Sequence, residues 1–203
     1  MNYLAHLFLS ERTSEGLVGG LMGDFVKGRL DNSTYTPGLL RSIRRHRMID
    51  RYTDDHPSVR RSRRRIHAGY RLLQPIMIDV FYDHFLAVHW RRYSRIELEV
   101  FAQQVYEALR SHAAILPGRL RTIARPMMEE NWLVSYRERE SIALALRGIA
   151  RRLSRPNRLA QGIDELHAHY DALTADFHEF FPDAVEKIDT MSHAIRNQPG
   201  CNE

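Results

Sequence analysis

The sequence predicts an all-α protein that forms a single compact multi-helix domain. Apolar residues recur at spacings of three and four, as at Leu98, Phe101, Val105 and Leu109, which is the period of one helix face. No sustained run of alternating apolar and polar residues is bounded by hairpin turn dipeptides, so strands are not expected. A chain of 203 residues without a repeat, a low-complexity tract or a long linker suits one medium-sized domain.

Prolines and capping patterns set the expected helix boundaries. Four prolines stand where a helix can begin, namely Pro37, Pro57, Pro75 and Pro182. Residues 94–97 and 135–138 have the form of capping boxes, in which a serine precedes a glutamate by three positions. The predicted helices cover residues 2–10, 14–29, 37–54, 57–72, 75–92, 95–115, 118–132, 136–153, 158–180 and 182–196.

Composition excludes several classes of protein. The single cysteine, Cys201, excludes a disulfide-stapled fold and a cysteine metal cluster, and it lies in a segment, 198–203, that we expect to be a flexible tail after a domain over 1–197. The apolar run Leu4–Leu9 is too short for a signal peptide and is interrupted by His6. No stretch approaches the ~20 apolar residues of a membrane span. A cytoplasmic protein without a membrane partner is expected.

Basic residues are numerous and clustered. The formal net charge is +5, and all but two of the 30 basic residues are arginine. Ten arginines lie between Arg41 and Arg65, among three carboxylates. A dense arginine surface suits an anionic partner such as nucleic acid, an acidic protein or a phosphate. The alternative is a solvated helix face that has no partner.

Four glycines fall within the predicted helix 14–29, namely Gly16, Gly19, Gly20 and Gly23. Each glycine inside a helix costs up to about 1 kcal/mol relative to alanine, so their accumulation requires a structural reason. We predict that they allow close packing of a neighbouring helix. Their spacing matches neither common glycine-rich fingerprint for phosphate binding, so we reject a phosphate-binding loop.

One stripe of polar residues has the spacing of a metal site. His46, Asp50 and Asp54 are separated by four residues each and therefore lie within an arc of ~80° on one helix. Nitrogen and oxygen ligands on one stripe can converge on a divalent cation from one side. The alternative is an exposed polar face, in which Arg47 and Arg51 form ion pairs with the carboxylates.

Three further positions place polar residues among apolar ones. Asp24 is expected to point inward from its helix, where an ionised carboxylate is costly unless it binds a metal or an arginine. His84 shares an apolar face and follows Asp83, which could bind a metal beside it or orient a ligand; a hydrogen-bonded core histidine is the alternative. His6 repeats this pattern. Together with the stripe that contains His46, these positions make four clusters of polar residues on four predicted helices, which favours a shared metal centre.

Five short motifs, in order along the chain, together resemble the bacterial acyl carrier protein phosphodiesterase family, also called ACP hydrolase: Met1-Asn2-Tyr3-Leu4-Ala5-His6-Leu7, Gly23-Asp24-Phe25-Val26-Lys27-Gly28, His46-Arg47-Met48-Ile49-Asp50 with Thr53-Asp54, Asp79-Val80-Phe81-Tyr82-Asp83-His84-Phe85-Leu86, and His169-Tyr170-Asp171. The resemblance runs from Asn2 to about Phe181. It implies an all-helical, HD-like fold, distantly related to the HD-type metal-dependent phosphohydrolases. It also implies that manganese, or a similar divalent ion such as magnesium, supports conversion of holo-acyl carrier protein into the apo form and 4′-phosphopantetheine.

The resemblance implies a set of site residues. Because Asp83-His84 reverses the usual His-Asp dipeptide of HD enzymes, the ligands are taken from the matching motifs, and they are Asp24, His46, Asp50, Asp83 and His84. His6 or Asp54 is expected to protonate the departing serine oxygen, and Lys27 or Arg47 to neutralise the phosphate. The acidic carrier protein is expected to dock on the arginine run Arg60, Arg61, Arg63, Arg64 and Arg65.

Two alternatives remain open at the level of sequence. The first keeps the metal and changes the substrate to a nucleotide. The second is a helical nucleic-acid-binding module built on residues 41–65. That stretch lacks the interleaved aromatic residues of a single-strand platform, and such a module leaves Asp24 and His84 unexplained, so nucleic acid is not expected as the partner.

Overall fold

Helices make up all of the regular secondary structure in residues 2–30 and 34–196, which the computed structural model describes, with side chains through residue 191. The α-helices in these residues are α1 (Tyr3–Phe8), α2 (Ser14–Met22), α3 (Pro37–Asp55), α4 (Pro57–Arg65), α5 (Gln74–Val88), α6 (Trp90–Tyr93), α7 (Leu98–Ser111), α8 (Gly118–Glu129), α9 (Trp132–Ser135), α10 (Arg139–Ala150), α11 (Ile163–Ala168) and α12 (Tyr170–Arg196). Short 3₁₀ turns occur at Ala68–Tyr70, Ala113–Ile115 and Leu159–Gln161. The predicted all-α class is confirmed, whereas Cys201 and the predicted tail lie outside the described residues.

Prolines mark some of the predicted helix starts and not others. Three of them stand in the first turn of a helix, as predicted, namely Pro37, Pro57 and Pro75. Pro182 instead lies inside α12, so the helix boundary predicted there is wrong. Phe181, Ala184 and Ile188 around it are buried in the core. Packing of this apolar face stabilises α12 across Pro182, although proline disfavours helix interiors.

Two further local predictions are wrong at helix ends. The helix predicted over 14–29 ends at Met22, and turns with irregular backbone follow it. Neither predicted capping box forms, because α7 and α10 begin one position after Glu97 and Glu138, which are their N-cap residues. The hydroxyl of Ser135 donates to the carbonyl oxygen of Trp132 instead.

The core surrounds α5, which is buried on almost every side. Most of its apolar side chains are almost completely buried, namely those of Met77, Ile78, Val80, Phe81, Tyr82, Phe85 and Leu86. A helix that is apolar all round belongs in the interior of a domain, and α1, α4, α10 and α12 pack against this one. None of the helices that the structure describes is both long and apolar enough to cross a membrane.

Close packing of α2 on α3 explains the glycines. A β-carbon added at Gly19 would lie 2.5 Å from the β-carbon of Ser42, and one at Gly20 would lie 2.1 Å from the hydroxyl oxygen of Ser10. Neither position has room for alanine without displacement of its neighbours. The predicted role in helix packing is confirmed at Gly19, which meets α3, and at Gly20, which meets the end of α1, whereas Gly16 meets the backbone of Glu11 in the preceding loop.

A buried carboxylate joins α4 to α12. Asp176 of α12 is 2% exposed and accepts hydrogen bonds from Arg61 at 2.6 Å, from Arg65 at 2.8 Å and from the hydroxyl of Ser62 at 2.9 Å. Burial alone raises the pKa of Asp176, but these three donors outweigh burial and hold the pKa below its ordinary value of 3.8. The ionised carboxylate therefore fastens α4 to the core.

Replacement of Asp176 by alanine is expected to lower the free energy of unfolding by about 2 kcal/mol, because charged hydrogen bonds at a buried group are lost. Since the pKa of Asp176 is depressed in the folded state, this stability is present above pH 3.8 and is lost as the pH falls through the folded-state pKa. Urea unfolding at several pH values measures both effects. Asp183→Ala, which removes an exposed partner of His56, is the control, and an equal loss in both variants would contradict the assignment.

Candidate metal centre

Three elements bring two imidazoles and two carboxylates together. The Nε2 atom of His6, on α1, lies 3.0 Å from Oδ1 of Asp50 on α3. The Nε2 atom of His46, one turn before Asp50, lies 3.2 Å from Oδ2 of Asp50 and 3.5 Å from Oδ1 of Asp24 in the turn after α2. Among the described residues, ligand atoms of His6, His46 and Asp50 all lie within 4.8 Å of one another. We call His6, Asp24, His46 and Asp50 the His-Asp cluster.

The backbone of α2 fixes the orientation of His46. Its Nδ1 atom lies 2.7 Å from the carbonyl oxygen of Gly20, which can only accept, so Nδ1 donates and carries the hydrogen. Nε2 is thereby directed at the carboxylates of Asp24 and Asp50. A histidine that donates its second nitrogen to a backbone carbonyl is the usual arrangement of a metal ligand.

A close approach of Gly23 makes this position possible. A β-carbon at Gly23 would lie 2.2 Å from Cγ of His46, so the imidazole occupies the space that a side chain at residue 23 would take. On its other face the ring stacks against that of His6, with the ring centroids 3.7 Å apart and the planes 14° apart. The two rings are therefore fixed by α1, α2 and α3 together.

The buried nitrogens of the cluster fit a metal. Both ring nitrogens of His6 and Nε2 of His46 are buried, and none has a partner in hydrogen-bonding geometry within the described structure. Buried polar atoms without partners are rare and costly, so they require an explanation. The carboxylate oxygens of Asp50 lie 3.0 Å from Nε2 of His6 and 3.2 Å from Nε2 of His46, so one cation could be bound by all three groups. Imidazole and carboxylate groups in this arrangement can hold a divalent cation.

The electrostatics place opposite charges around this space. Burial lowers the pKa of His6 to about 4, with help from the charge of His46, so the ring is neutral at pH 7 and one of its two nitrogens carries no hydrogen. Burial also disfavours the charged form of His46, but Asp24 and Asp50 outweigh it and raise its pKa to about 9. Both carboxylates have lowered pKa values despite burial, because His46 and His6 stabilise their ionised forms. Without a metal, a proton on His46 offsets one of the two carboxylates, and the cluster keeps a net negative charge where a cation would bind.

The cluster is open on one side. The two histidine side chains are 1% exposed, whereas those of Asp24 and Asp50 are each 42% exposed. The expectation that Asp24 points into the interior is therefore wrong: α2 ends at Met22, so the helix-face argument does not extend to residue 24. The imidazoles form the floor of the site, and the carboxylates form its solvent-exposed rim.

Asp83 lies outside the His-Asp cluster and supports it indirectly, by binding the start of α1. Its two carboxylate oxygens accept hydrogen bonds from the backbone N–H groups of Leu4 and Ala5, at 2.8 and 2.9 Å. These donors belong to the first turn of α1, the helix that carries His6. Burial raises the pKa of Asp83 to about 7, against the lowering effect of the two N–H groups. Asp83 thus acts as a remote cap that fixes α1 over the site.

His84 also has other partners. Its Nδ1 atom donates to the carbonyl oxygen of Tyr136 at 2.8 Å, and its Nε2 atom accepts from the hydroxyl of Tyr170 at 3.0 Å. Burial lowers the pKa of His84, so the neutral ring satisfies both contacts. The structure therefore places His84 in the hydrogen-bonded core, which was the alternative interpretation of this histidine.

The remaining predicted catalytic residues lie at the edge of the site or away from it. Asp54 is exposed and forms an ion pair with Arg63. Arg47 donates to the carbonyl oxygen of Val26 at 2.9 Å, and Lys27 is exposed in the same turn. None of these side chains contacts the His-Asp cluster in the part of the chain that the structure describes.

Two residues that the sequence does not single out, Tyr3 at the start of α1 and Arg152 just after α10, interact electrostatically. The charges of Arg152 and Asp24 both act on the hydroxyl of Tyr3. Burial raises the pKa of Tyr3, so the phenol keeps its proton at neutral pH. Tyr3 could be identified from the sequence, because it belongs to the first of the five motifs. Arg152 lies in no motif and is found only through the fold.

Comparisons with known proteins identify the family. A family model described as acyl carrier protein phosphodiesterase matches residues 1–184. The chain belongs to this family. A protein of that name from Photorhabdus laumondii is 33% identical over 190 residues, which cover 93% of this chain and 96% of the relative. One from Escherichia coli strain S88 is 36% identical over 188 residues, covering 92% and 97%. No solved structure matches the chain.

The arginine run expected to dock the carrier protein is engaged within the chain. Arg60 pairs with Asp55, and Arg63 pairs with Asp54. As described above, Arg61 and Arg65 bind Asp176, and Arg61 also contacts Glu179. Arg64 is exposed and has no carboxylate partner among the described residues. Ion pairs within the chain therefore neutralise much of the positive charge of this run and hold α4 in place.

Replacement of Gly23 by alanine is expected to weaken Mn²⁺ binding by at least about tenfold, because the new methyl group displaces the ring of His46. Isothermal titration calorimetry with chelator-treated protein measures the affinity. Gly118→Ala is the matched control, since a β-carbon at Gly118 meets no atom within 4 Å. Unchanged Mn²⁺ affinity in a folded Gly23→Ala variant would mean that His46 is not a ligand.

Proposed function

We propose that this protein is a metal-dependent phosphodiesterase that hydrolyses the bond between 4′-phosphopantetheine and the serine oxygen of holo-acyl carrier protein. Family membership supports the reaction class, since the named relatives align over more than 90% of their length. The observation that carries the metal dependence is the His-Asp cluster, in which buried imidazole nitrogens without hydrogen bonds face two ionised carboxylates.

The proposed metal ligands are His6, Asp24, His46 and Asp50. This set replaces Asp83 and His84 of the sequence-based set with His6, because the first two are fully engaged elsewhere and His6 is not. Two imidazoles with two carboxylates suit Mn²⁺ or a similar transition metal better than Mg²⁺, which prefers carboxylates and water. A bound divalent ion supplies Lewis-acid polarisation of the phosphoryl group and lowers the pKa of water.

The residues at the rim determine how the phosphodiester is held. The charge of Arg152 acts on Tyr3 together with that of Asp24, so we assign to Arg152 the neutralisation of the phosphate in place of Lys27 or Arg47. Tyr3 keeps its proton at neutral pH. With His6 assigned to the metal, Tyr3 replaces His6 and Asp54 as the donor of the proton to the departing serine oxygen.

Asp24→Ala and His46→Ala are each expected to reduce the turnover of holo-carrier protein by at least about a thousandfold, since several kcal/mol of stabilisation by the metal is lost. Mass spectrometry of the carrier protein, after incubation with enzyme and Mn²⁺, follows the release of 4′-phosphopantetheine. Circular dichroism checks that both variants remain helical. His167→Ala, which changes an exposed histidine outside the cluster, is the control.

Three results would contradict this function. Wild-type protein with Mn²⁺ that leaves holo-carrier protein intact would exclude the proposed substrate, and cleavage of nucleotides in parallel reactions would replace it. Activity that survives chelation and is not increased by Mn²⁺ would exclude the metal. Near-normal turnover by folded Asp24→Ala protein would exclude the ligand set.

Arg152→Gln is expected to reduce kcat/KM by about ten- to a hundredfold, as a hydrogen bond to a charged group contributes about 1.5–3 kcal/mol. Its affinity for Mn²⁺, measured by calorimetry, is expected to stay unchanged because Arg152 is not a ligand. Arg119→Gln on α8 provides a control of equal charge. Unchanged kcat/KM in Arg152→Gln would remove Arg152 from the site.

A further inference from the structure

A basic segment without carboxylates follows the start of α10. Between Glu140 and Asp164 the chain contains no acidic residue and no aromatic residue. It carries five arginines, all of them exposed, namely Arg147, Arg151, Arg152, Arg155 and Arg158. We call this stretch the α10 basic segment. Its positive charge is not balanced by its own sequence.

The fold does not balance this charge either. None of the five arginines lies within ion-pair distance of a carboxylate among the described residues, in contrast to four of the five arginines at 60–65. Arg158 instead rests over the ring of Tyr70, 5.7 Å from its centroid. An uncompensated group of arginines produces a field that attracts an acidic surface over a distance of about one Debye length, ~8 Å at physiological ionic strength.

The segment adjoins the His-Asp cluster. Tyr3 lies in the first turn of α1, the helix that carries His6, and α10 packs against α5, whose Asp83 accepts hydrogen bonds from the start of α1. Arg152, just after α10, lies close enough to Tyr3 for its charge to act on the Tyr3 hydroxyl. In the proposed reaction the serine oxygen that leaves phosphorus belongs to the carrier protein itself. The surface of the carrier protein around that serine must therefore lie against the rim of the cluster. Residues next to Arg152 are then in position to meet this surface.

Two apolar features on α10 indicate a protein partner. Leu144 is 61% exposed, and it shares one helix face with Arg147, Gly148 and Arg151 by spacings of three and four. Gly148 lies inside the helix, where a β-carbon would meet no atom within 4 Å, so no contact within the chain requires glycine. A partner that approaches the backbone closely would require it.

We infer that the face of α10 formed by Leu144, Arg147, Gly148 and Arg151, with the loop arginines Arg155 and Arg158, docks an acidic protein surface next to the scissile phosphodiester. The inference rests on the proposed function and specifies the surface that binds its substrate. The exposed leucine and the bare backbone fit a folded protein. The lack of aromatic residues over 141–163 disfavours a single-stranded nucleic acid.

Arg147→Glu/Arg151→Glu is expected to raise KM for holo-carrier protein about tenfold, to change kcat little and to flatten the dependence of kcat/KM on NaCl, because charges at an interface steer association. The control Arg110→Glu/Arg119→Glu makes the same change in net charge at exposed positions on α7 and α8 and is expected to leave KM unchanged. Thermal unfolding by circular dichroism checks that both double variants fold.

Gly148→Ala separates docking from folding. In the free protein alanine favours the helix and is expected to raise the melting temperature by about 2–4 °C. At the proposed interface the added methyl group is expected to raise KM for holo-carrier protein. A variant that is more stable and yet binds the substrate less well cannot be explained by damage to the fold.

The outcomes distinguish this inference from the proposed function. If wild-type protein does not release 4′-phosphopantetheine from the carrier protein, the proposed function fails first. If wild-type protein is active and both variants retain its KM and salt dependence, the function stands and the docking surface is wrong. If the Arg147→Glu/Arg151→Glu variant instead loses affinity for a fluorescent oligonucleotide while KM for the carrier protein is unchanged, the segment is a nucleic-acid surface and the inference is overturned.

Discussion

The close approach of α3 to α2 is the constraint on which the site depends. Gly19 and Gly23 lack the side chains that would separate the two helices, and the imidazole of His46 fills the space beside Gly23. The carbonyl oxygen of Gly20 then fixes which nitrogen of that imidazole faces the carboxylates. Helix-destabilising glycines, each costing up to about 1 kcal/mol, are retained where they position a reactive group. Asp50 follows one turn later on the same helix.

The remaining imidazole depends on a second buried contact. α1 has six residues and no side-chain cap of its own, so its first N–H groups require partners from elsewhere. The carboxylate of Asp83, carried by the central helix α5, provides them. This contact sets α1 so that the ring of His6 stacks on that of His46. The central helix α5 thus determines the position of a residue at the site.

Local patterns in the sequence predict what lies within one helix, and they fail where separate helices meet. The all-α class and the pair His46 and Asp50 follow from periodicity alone. The interior position of Pro182 depends on the apolar core around it, which no local signal reports. The sequence marks both His6 and Asp83 as polar residues among apolar neighbours. It does not predict that His6 lies in the cluster and that Asp83 caps α1, because a four-residue spacing identifies neighbours on one helix and gives no information about partners on another helix.

The arginines show the same limit for electrostatics. Residues 60–65 are the denser arginine cluster in the sequence, yet acidic residues brought by the fold, such as Asp176 on α12, neutralise much of it. The five arginines between Glu140 and Asp164 are more widely spaced and form no ion pair with a carboxylate in the described structure. Attraction at a distance depends on net charge after pairing, not on the number of arginines. Arginine density in a sequence is therefore a poor measure of a docking surface until the positions of the carboxylates are known.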